Sequence, residues 1–270
     1  EREFDTNVRL RPMGTQEIFD AVDRGEVDVH PEVWLPNSEE LVKKYAVDRG
    51  TLRLSPRGVP AAQNICTTPD TVEQTGIQSV KDLANPDVAQ HFDTDGDGRG
   101  EMWIGAFTWS STPIERVRAR SYGYADTMLL LTMEEDIAMA SIDAAVATGH
   151  PIVFYCYQPH HVFKLHDIVV LDEPPHDPDT WKIVRPEDNP AWLSVSKAGS
   201  AWGPSHFHLA YATDLDASHA QIARFLTNVA LTTDEAAAMT YAIDVEGRSP
   251  DEVAAAWIED NGARLKDWIQ

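Results

Sequence analysis

A helical pattern followed at once by a continuous apolar run is the feature that most limits how this chain can fold. Residues 134–148 carry apolar side chains at three- and four-residue spacing, which predicts a helix that ends before Gly149. The apolar positions of this pattern are Ile137, Ala140, Ala144 and Ala147. IVFYCY (152–157) then has the length of a strand buried on both faces, and FHLAYA (207–212) is a second run of this kind. Strands separated by helices predict an α/β fold with mainly parallel sheets.

Start signals predict further short elements along the chain. Thr15 is a candidate cap for a helix that buries Ile18, Phe19 and Val22, and Ser38 is a candidate cap for the next. The later signals are a capping box at Ser79 and Asp82, Asn85-Pro86, Thr112-Pro113, helices over 217–229 and 233–243, and a capping box with proline at Ser249, Pro250 and Glu252. VDVHPEVWL (27–35) and NICTT (64–68) predict two more strands.

The charge balance excludes several classes of partner. The chain has 22 Lys and Arg against 44 Asp and Glu, a net charge of -22 over 270 residues. Such a chain repels phosphate backbones and anionic membrane surfaces, so we expect no nucleic-acid binding. The longest apolar stretch, MLLLTM (128–133), falls far short of the ~20 residues that cross a bilayer, so we expect no membrane insertion.

The two cysteines and the N-terminus bear on the compartment. The sequence starts at Glu1 without a signal peptide, which indicates either a cytoplasmic protein or a processed, mature one. Cys66 and Cys156 would form a disulfide in an oxidising compartment. They lie on two different predicted strands, and the sequence does not show that their Cα atoms come near each other. Two buried free thiols are the favoured interpretation.

An acidic, glycine-rich segment is the clearest candidate metal site. DTDGDGRGE (93–101) has the pattern of a calcium loop, with carboxylates at alternate positions and Gly98 at the sharp turn. The predicted ligands are Asp93, Asp95, Asp97, the Arg99 carbonyl and Glu101. Position 12 is Ile104, so a bidentate closing ligand must come from elsewhere. The alternative is an acidic surface turn without metal; a bound calcium ion would have a structural role.

Aromatic residues cluster at the ends of the predicted elements. These residues are Trp34, Trp103, Trp109, Tyr155, Tyr157 and Trp202. Ring faces attract a cation whose charge is spread over methyl groups, so several rings at element ends indicate a cleft for such a ligand. The alternative is that each ring packs only within its own domain.

The sequence resembles the periplasmic glycine-betaine-binding proteins of ABC importers over almost its whole length. The matching stretches are VDVHPEVWLP (27–36), residues 60–101, FTWSS (107–111), PIVFYCYQPHH (151–161) and WGPSHFHLAYATD (202–214). In this family three tryptophans surround the trimethylammonium group. The resemblance assigns Trp34 and Trp109 to two of them, whereas Tyr157 stands at the third and adds a hydroxyl group. Trp202 resembles a position near the second crossover between the lobes, where we expect it to supply another wall.

Departures from the family pattern indicate the ligand. Ser38 replaces a histidine that often holds the ligand carboxylate, and Gly105 and Ser111 replace a frequent cysteine pair. With the calcium-like loop, these departures resemble the trimethylamine N-oxide-binding branch. The amides of Ser110 and Ser111, the Tyr157 hydroxyl or a carboxyl group would contact the N-oxide oxygen. Glu32 and Glu115 are the candidates for a carboxylate that, together with the ring faces, replaces water around the buried cation. Glycine betaine and choline remain alternatives.

The resemblance also implies the architecture and the partners. It implies the two-lobe, type II periplasmic-binding-protein fold with ligand in the interlobe cleft. Lobe one would comprise residues 1–63 and 206–270, without the family's first strand and helix, and lobe two residues 64–205 with a crossover strand at each end. The expected protein is a periplasmic, monomeric solute-binding protein that delivers an osmolyte to a membrane permease.

Two other classes of function fit less well. The histidines at 160, 161, 166, 206 and 208 match no zinc-ligand spacing, and no hydrolase, Walker or dinucleotide-binding motif is present. A metal-dependent enzyme is therefore a remote alternative, and we expect no enzyme activity. The third class is a calcium-bound interaction protein without a small ligand.

Overall fold

The computed structural model describes residue 1 and residues 3–270, which form thirteen α-helical segments and ten strands. The helices are α1 (Thr15–Asp23), α2 (Glu39–Val42), α3 (Pro69–Thr75), α4 (Pro86–Ala89), α5 (Ser111–Tyr122), α6 (Glu135–Thr148), α7 (Val162–Leu165), α8 (Trp192–Val195), α9 (Leu215–Ser218), α10 (Ala220–Asn228), α11 (Thr233–Asp244), α12 (Pro250–Asp260) and α13 (Gly262–Ile269). The strands are β1 (Val29–Leu35), β2 (Leu52–Leu54), β3 (Val59–Thr67), β4 (Gly100–Trp103), β5 (Met128–Leu131), β6 (Val153–Gln158), β7 (Val169–Val170), β8 (Trp181–Lys182), β9 (Lys197–Ala198) and β10 (Ser205–Ala212). Shorter helical turns are π-helical at Lys43–Asp48 and 3₁₀ at Val80–Ala84, Gln90–Phe92 and Pro178–Thr180.

The chain divides into two compact units. Unit 1 comprises Glu1–Ala61 and Pro204–Gln270, and unit 2 comprises Ala62–Gly203. The chain therefore passes from unit 1 to unit 2 inside β3 and returns just before β10. The boundaries between the units lie after Ala61 and after Gly203, whereas the resemblance implies boundaries after residues 63 and 205.

Unit 1 is built on a small antiparallel sheet with β10 at its centre. β10 pairs antiparallel with β1, β2 and the first residues of β3. Helix α1 packs Phe19 and Val22 onto this sheet beside Tyr45, as its 3–4 spacing predicts. Helix α10 covers a second apolar cluster that includes Tyr211 and Leu226.

Unit 2 contains a mixed sheet and the larger core. β6 pairs antiparallel with β3 and parallel with β4, and β5 continues the sheet in parallel beside β4. β7 also pairs with β3, and β8 and β9 form a separate hairpin-like pair. The buried cluster includes Ile65, Leu83, Met102 and Phe154. IVFYCY is thus part of a strand buried in this core, as the sequence predicts.

The prediction of mainly parallel sheets is wrong. Within the described residues, only the β4–β5 and β4–β6 pairs are parallel. The alternation argument treats each strand as followed by a helix that returns the chain to the same end of the sheet. Here β3 and β10 carry the chain between the units in opposite directions, so they pair antiparallel with each other and with β6 and β1.

Some helix starts match the local signals, and others lie one or two residues away from the predicted cap. Capping boxes are present at Ser79 with Asp82 and at Ser249 with Glu252. Gly14 rather than Thr15 caps α1, and Ser110 rather than Thr112 precedes α5.

The buried face of α6 differs from the predicted one. This helix buries Ala138 and Ile142, whereas Ile137 is 56% exposed. Because α6 carries apolar side chains on most of its circumference, its sequence does not define one face.

Cys66 and Cys156 form a disulfide, so the expectation of two free thiols is wrong. Their Cα atoms lie 5.8 Å apart, because β3 and β6 are paired neighbours in the sheet of unit 2. Both cysteines are buried in the core. The bond closes a sequence separation of 90 residues, so it joins the first strand of unit 2 to a strand formed much later in the chain.

Candidate functional site

Trp109 and Tyr157 form an aromatic pair in unit 2. Their ring centroids lie 5.7 Å apart with the planes at 82°, an edge-to-face contact. Trp109 lies just before α5 and Tyr157 near the end of β6, and both rings are partly buried. Aromatic ring faces attract methyl groups that share a positive charge, so this pair can contact such a ligand.

A glycine permits the position of Trp109. Gly105 has φ +115°, and a Cβ there would lie 2.6 Å from Thr112 Oγ1 and 3.1 Å from Trp109 Cε3. The Thr112 hydroxyl donates a 2.6 Å hydrogen bond to the Ala106 carbonyl, which closes the turn. Ser110 precedes α5 and Ser111 is its first residue, so their backbone N–H groups belong to the helix N-terminus beside Trp109.

Two more aromatic residues, Trp103 and Tyr155, contact this pair from the core of unit 2. Trp103 contacts Trp109 edge to face at 5.6 Å, and its indole N–H donates to the Met133 carbonyl at 3.0 Å. The Tyr155 hydroxyl donates to Gln63 at 2.8 Å, and burial raises the pKa of this phenol. Both rings are almost fully buried, and they pack against Trp109 and Tyr157 and hold the pair in place.

Glu135, which no sequence motif identifies, belongs to the same cluster. Tyr157 donates its hydroxyl proton to Glu135 Oε1 at 2.6 Å, and His160 Nε2 lies 3.1 Å from the same oxygen. The His160 ring also contacts Tyr157 edge to face at 4.9 Å. Glu135 lies 22 residues before Tyr157, and no motif links the two positions.

Unit 1 contains its own aromatic pair, Trp34 and Phe207. The two residues are direct partners in the β1–β10 pairing, with ring centroids 5.5 Å apart. The Trp34 indole N–H donates to Glu32 Oε1 at 2.6 Å. Phe207 lies inside the apolar run of β10, where its sequence gives no sign that it differs from a core residue. Ser38, four residues after Trp34, is buried, and among the described residues its hydroxyl has no hydrogen-bond partner.

Trp202 and Glu115 lie together in the interior of unit 2. The Trp202 indole N–H donates to Glu115 Oε1 at 2.7 Å, and Arg118 Nε donates to the other carboxyl oxygen at 3.1 Å. Arg118 also donates to Glu173 at 2.7 Å. Burial raises the pKa of Glu115, and the charge of Arg118 opposes this shift. The structure therefore groups these two predicted residues with each other and a buried ion pair.

The acidic loop brings its predicted side chains together. One carboxylate oxygen each from Asp93, Asp95, Asp97 and Glu101 lies within 4.8 Å of the others. Hydrogen bonds from the backbone of Gly98 and Gly96 lower the pKa of Asp93.

The chain around this loop determines which groups remain for a cation. Ile104 is fully buried in the core, and the Arg99 guanidinium lies 3.5 Å from Asp97. Glu101 Oε2 accepts hydrogen bonds from Thr94, whereas Oε1 is buried and has no hydrogen-bond partner among the described residues.

The histidines are separate from this loop. His166 contacts Asp143 at 2.6 Å, His208 contacts the Ser55 carbonyl at 2.9 Å, and His160 contacts Glu135. In the described part of the chain, the acidic loop is the one group of three or more His, Cys, Asp or Glu side chains with metal-ligand spacing.

Comparison with known families decides the class of protein. Residues 1–260 match the family model of the substrate-binding domain of ABC-type glycine betaine transport systems. The chain belongs to this family. Its members are the substrate-binding domains of transporters rather than enzymes. No helix among the described residues is long and apolar enough to span a bilayer.

Two curated relatives are similar to this chain. It is 25% identical to the trimethylamine N-oxide-binding protein of Pelagibacter ubique (strain HTCC1062), over 94% of this chain and 79% of that protein. It is also 25% identical to the glycine betaine/proline betaine-binding periplasmic protein of Salmonella typhimurium (strain LT2), over 52% of this chain and 44% of that one.

Solved structures show the fold. Lactococcal OpuAC in its closed-liganded conformation with glycine betaine has a TM-score of 0.74 and 17% identity, over 100% of this chain and 90% of that one. A choline-binding protein in complex with choline has a TM-score of 0.71 and 18% identity, over 93% of this chain and 77% of that one. The predicted α/β fold of type II periplasmic binding proteins is confirmed.

Proposed function

We propose that this chain captures trimethylamine N-oxide and delivers it to the permease of an ABC importer. The observation that carries the proposal is the edge-to-face pair of Trp109 and Tyr157, fixed by buried neighbours and open enough to contact a ligand. Trimethylamine N-oxide has three methyl groups on a positively charged nitrogen, and such a group is attracted to ring faces. The named relative that matches 94% of the chain binds this compound, which supports the choice.

The proposed contacts divide into rings and polar groups. In unit 2, Trp109 and Tyr157 contact the methyl groups, and the backbone amides of Ser110 and Ser111 donate to the N-oxide oxygen. In unit 1, Trp34 supplies a further ring, held in place by Phe207 and by Glu32. The burial of Trp103, Trp202 and Glu115 favours supporting roles for these three residues.

Glycine betaine is the second candidate, and choline is the third. The chain lacks the histidine that in the family often holds the ligand carboxylate, because Ser38 stands at that position. A hydroxyl group is shorter than an imidazole and carries no charge, so it compensates less of the energy lost when a carboxylate leaves water. This substitution favours the N-oxide over betaine.

Calorimetric titration tests the proposal directly. We expect the protein to bind trimethylamine N-oxide more tightly than glycine betaine or choline, and tighter binding of betaine would overturn that order. Each ring contact contributes roughly 1–2 kcal/mol, so changing both Trp34 and Trp109 to Ala should weaken binding roughly 30- to 1,000-fold. Trp192→Ala, which removes a tryptophan of α8, serves as the control and should leave the Kd unchanged. Retained binding in the double variant would refute the assignment.

We also propose that the loop of residues 93–101 binds a structural calcium ion. The buried, unpartnered Oε1 of Glu101 supports this, because calcium would supply the missing partner. Asp93, Asp95, Asp97 and Glu101 would provide carboxylate oxygens and Arg99 its carbonyl.

Titration of the chelator-treated protein with calcium should show binding and a higher denaturation midpoint. Saturation at about 100 times the Kd corresponds to about 2.7 kcal/mol of added stability. The Glu101→Gln variant should show weaker calcium binding and a smaller rise in the denaturation midpoint. Glu73 is an exposed residue of α3, so the Glu73→Gln variant should behave like the wild type in both measurements. Identical unfolding curves in calcium and in chelator would disprove the site.

The family supports a periplasmic location and a permease partner. The Salmonella relative is described as a periplasmic protein, and the family belongs to ABC-type transport systems. We propose the same compartment here, where the disulfide between Cys66 and Cys156 would be stable.

A further inference from the structure

Glu135 places a carboxylate at the edge of the Trp109–Tyr157 pair. It is the first residue of α6, and its Oε1 accepts the Tyr157 hydroxyl proton at 2.6 Å. About a third of its side chain is exposed, so the carboxylate is neither sealed in the core nor fully hydrated. A ligand that lies against the Tyr157 ring would therefore be within a few ångströms of this charge.

The neighbouring His160 donates a hydrogen bond to this carboxylate. The backbone N–H of Val162 donates to His160 Nδ1 at 3.0 Å, so Nδ1 is an acceptor. A neutral ring then has its proton on Nε2, the atom that faces Glu135 at 3.1 Å. A doubly protonated ring would point an N–H of Nδ1 at the N–H of Val162. The geometry therefore directs the Nε2 proton of His160 at Glu135 Oε1.

Two donors hold Glu135 in its ionised form. Burial acts to raise the pKa of this carboxyl, but the hydrogen bond and charge of His160, the hydrogen bond from Tyr157 and the charge of His161 lower it overall. The Tyr157 hydroxyl is itself used in this contact, so its ring rather than its O–H group faces a ligand.

We propose that Glu135 is a specificity-determining residue, whose negative charge selects against methylated amines that carry a carboxylate. This inference rests on the proposed function. Glycine betaine has a carboxylate two bonds from its nitrogen, and two anions brought together in a partly desolvated site repel each other. Trimethylamine N-oxide has no carboxylate, and its compact N–O dipole can point away from Glu135. Choline has a net positive charge and a hydroxyl donor, so Glu135 attracts it.

The Glu135→Gln variant tests this proposal because it removes the charge and keeps an oxygen that can accept the Tyr157 proton. We would titrate the wild type and the variant calorimetrically with trimethylamine N-oxide, glycine betaine and choline at pH 8, where ordinary histidines are neutral. The Kd of betaine relative to that of the N-oxide should fall about tenfold in the variant. The Kd of choline relative to that of the N-oxide should rise severalfold.

Glu134→Gln is the matched control, since it removes the same charge from the adjacent, exposed residue. It should leave both ratios unchanged, and thermal unfolding should show that both variants are folded. If Glu135→Gln binds the ligands with unchanged ratios, or if Glu134→Gln shifts them equally, the specificity role is refuted while the proposed function stands. If the wild type binds none of the three ligands, the proposed function fails and this inference fails with it.

Discussion

The indole nitrogen of Trp202 lies 2.7 Å from Oε1 of Glu115, and both side chains are buried in unit 2. Arg118 binds the second oxygen of Glu115 and also Glu173, so two carboxylates share one guanidinium. Every polar group in such a network depends on its partners, because an unpaired buried charge costs several kcal/mol. The sequence predicts that Trp202 contacts the ligand. Its hydrogen bond to Glu115 explains why the indole is buried even without a ligand.

Changing Trp202 to Phe should therefore reduce stability more than it reduces binding. An aromatic ring remains, although it is smaller than the indole, but Glu115 loses one donor, and leaving a buried acceptor unsatisfied costs about 1–3 kcal/mol. We expect the free energy of unfolding in urea to fall by about that amount and the Kd for trimethylamine N-oxide to change less than about threefold.

Trp181→Phe provides the comparison for that variant. Trp181 packs against Trp202 with ring centroids 5.1 Å apart, but it is not bonded to Glu115, so its variant should lose less stability. Unchanged stability of Trp202→Phe together with much weaker ligand binding would restore Trp202 as a wall of the site.

Gly105→Ala should disturb the Trp109 ring. The new Cβ would lie 2.6 Å from Thr112 Oγ1 and 3.1 Å from Trp109 Cε3, at a residue with φ +115°. Backbone strain of this kind costs about 1–3 kcal/mol, so the denaturation midpoint should fall. Loss of one well-placed ring contact should raise the Kd for the N-oxide about tenfold.

Gly149→Ala separates strain from displacement. Gly149 also has a positive φ, +68°, but a Cβ there would meet no atom within 4 Å. This variant should lose some stability and keep the wild-type Kd. Equal binding by both glycine variants would show that Gly105 does not position Trp109.

Reduction of the Cys66–Cys156 disulfide should lower the stability of unit 2. The bond spans 90 residues, and the loop-closure argument gives a contribution of about 4–5 kcal/mol for a loop of that length. We expect a phosphine reductant to lower the urea midpoint of the wild type. The Cys66→Ala, Cys156→Ala double variant should have a lower midpoint in both conditions and no response to the reductant. An identical urea midpoint for the reduced and the oxidised wild type would contradict the predicted contribution of the disulfide to stability.

The sequence identifies local structure better than it identifies contacts between distant segments. The capping boxes at Ser79 and Ser249 and the extent of α6 follow from residues three or four apart. The disulfide and the Glu135–Tyr157 contact join segments 90 and 22 residues apart, and only the strand pairing and helix placement bring them together.

The same limit applies to the candidate site. The resemblance selects Trp34, Trp109 and Tyr157 because these positions carry family motifs. Phe207 pairs with Trp34 through the antiparallel register of β1 and β10, and that register contradicts the expectation of mainly parallel sheets. The alternation of side chains along β10 shows which residues share a face of the strand. It does not show which aromatic residue of β10 lies opposite Trp34 on the neighbouring strand.

His30 should make the stability of unit 1 depend on pH. Its ring is buried against Phe19, and burial lowers its pKa to about 4. The unfolded chain, with an ordinary histidine pKa of about 6.5, then binds more protons than the folded chain between pH 6.5 and 4. Stability contributed by the neutral ring is therefore present above pH 6.5 and is lost as the pH falls towards 4. Between pH 7 and pH 5 the loss should be about 2 kcal/mol.

His30→Gln tests the assignment because glutamine does not titrate and still offers an oxygen to the Glu32 backbone N–H, which donates to His30 Nδ1 at 3.3 Å. Urea unfolding at pH 7 and pH 5 should show a pH dependence smaller by about 2 kcal/mol in the variant. Carboxylates also make the stability depend on pH. The largest cause that lowers the pKa of Glu235 to about 2 is its hydrogen bond from Arg264, so the stability that Glu235 contributes is lost mainly below pH 5. An equal pH dependence in wild type and variant would mean that the His30 ring becomes protonated without unfolding unit 1.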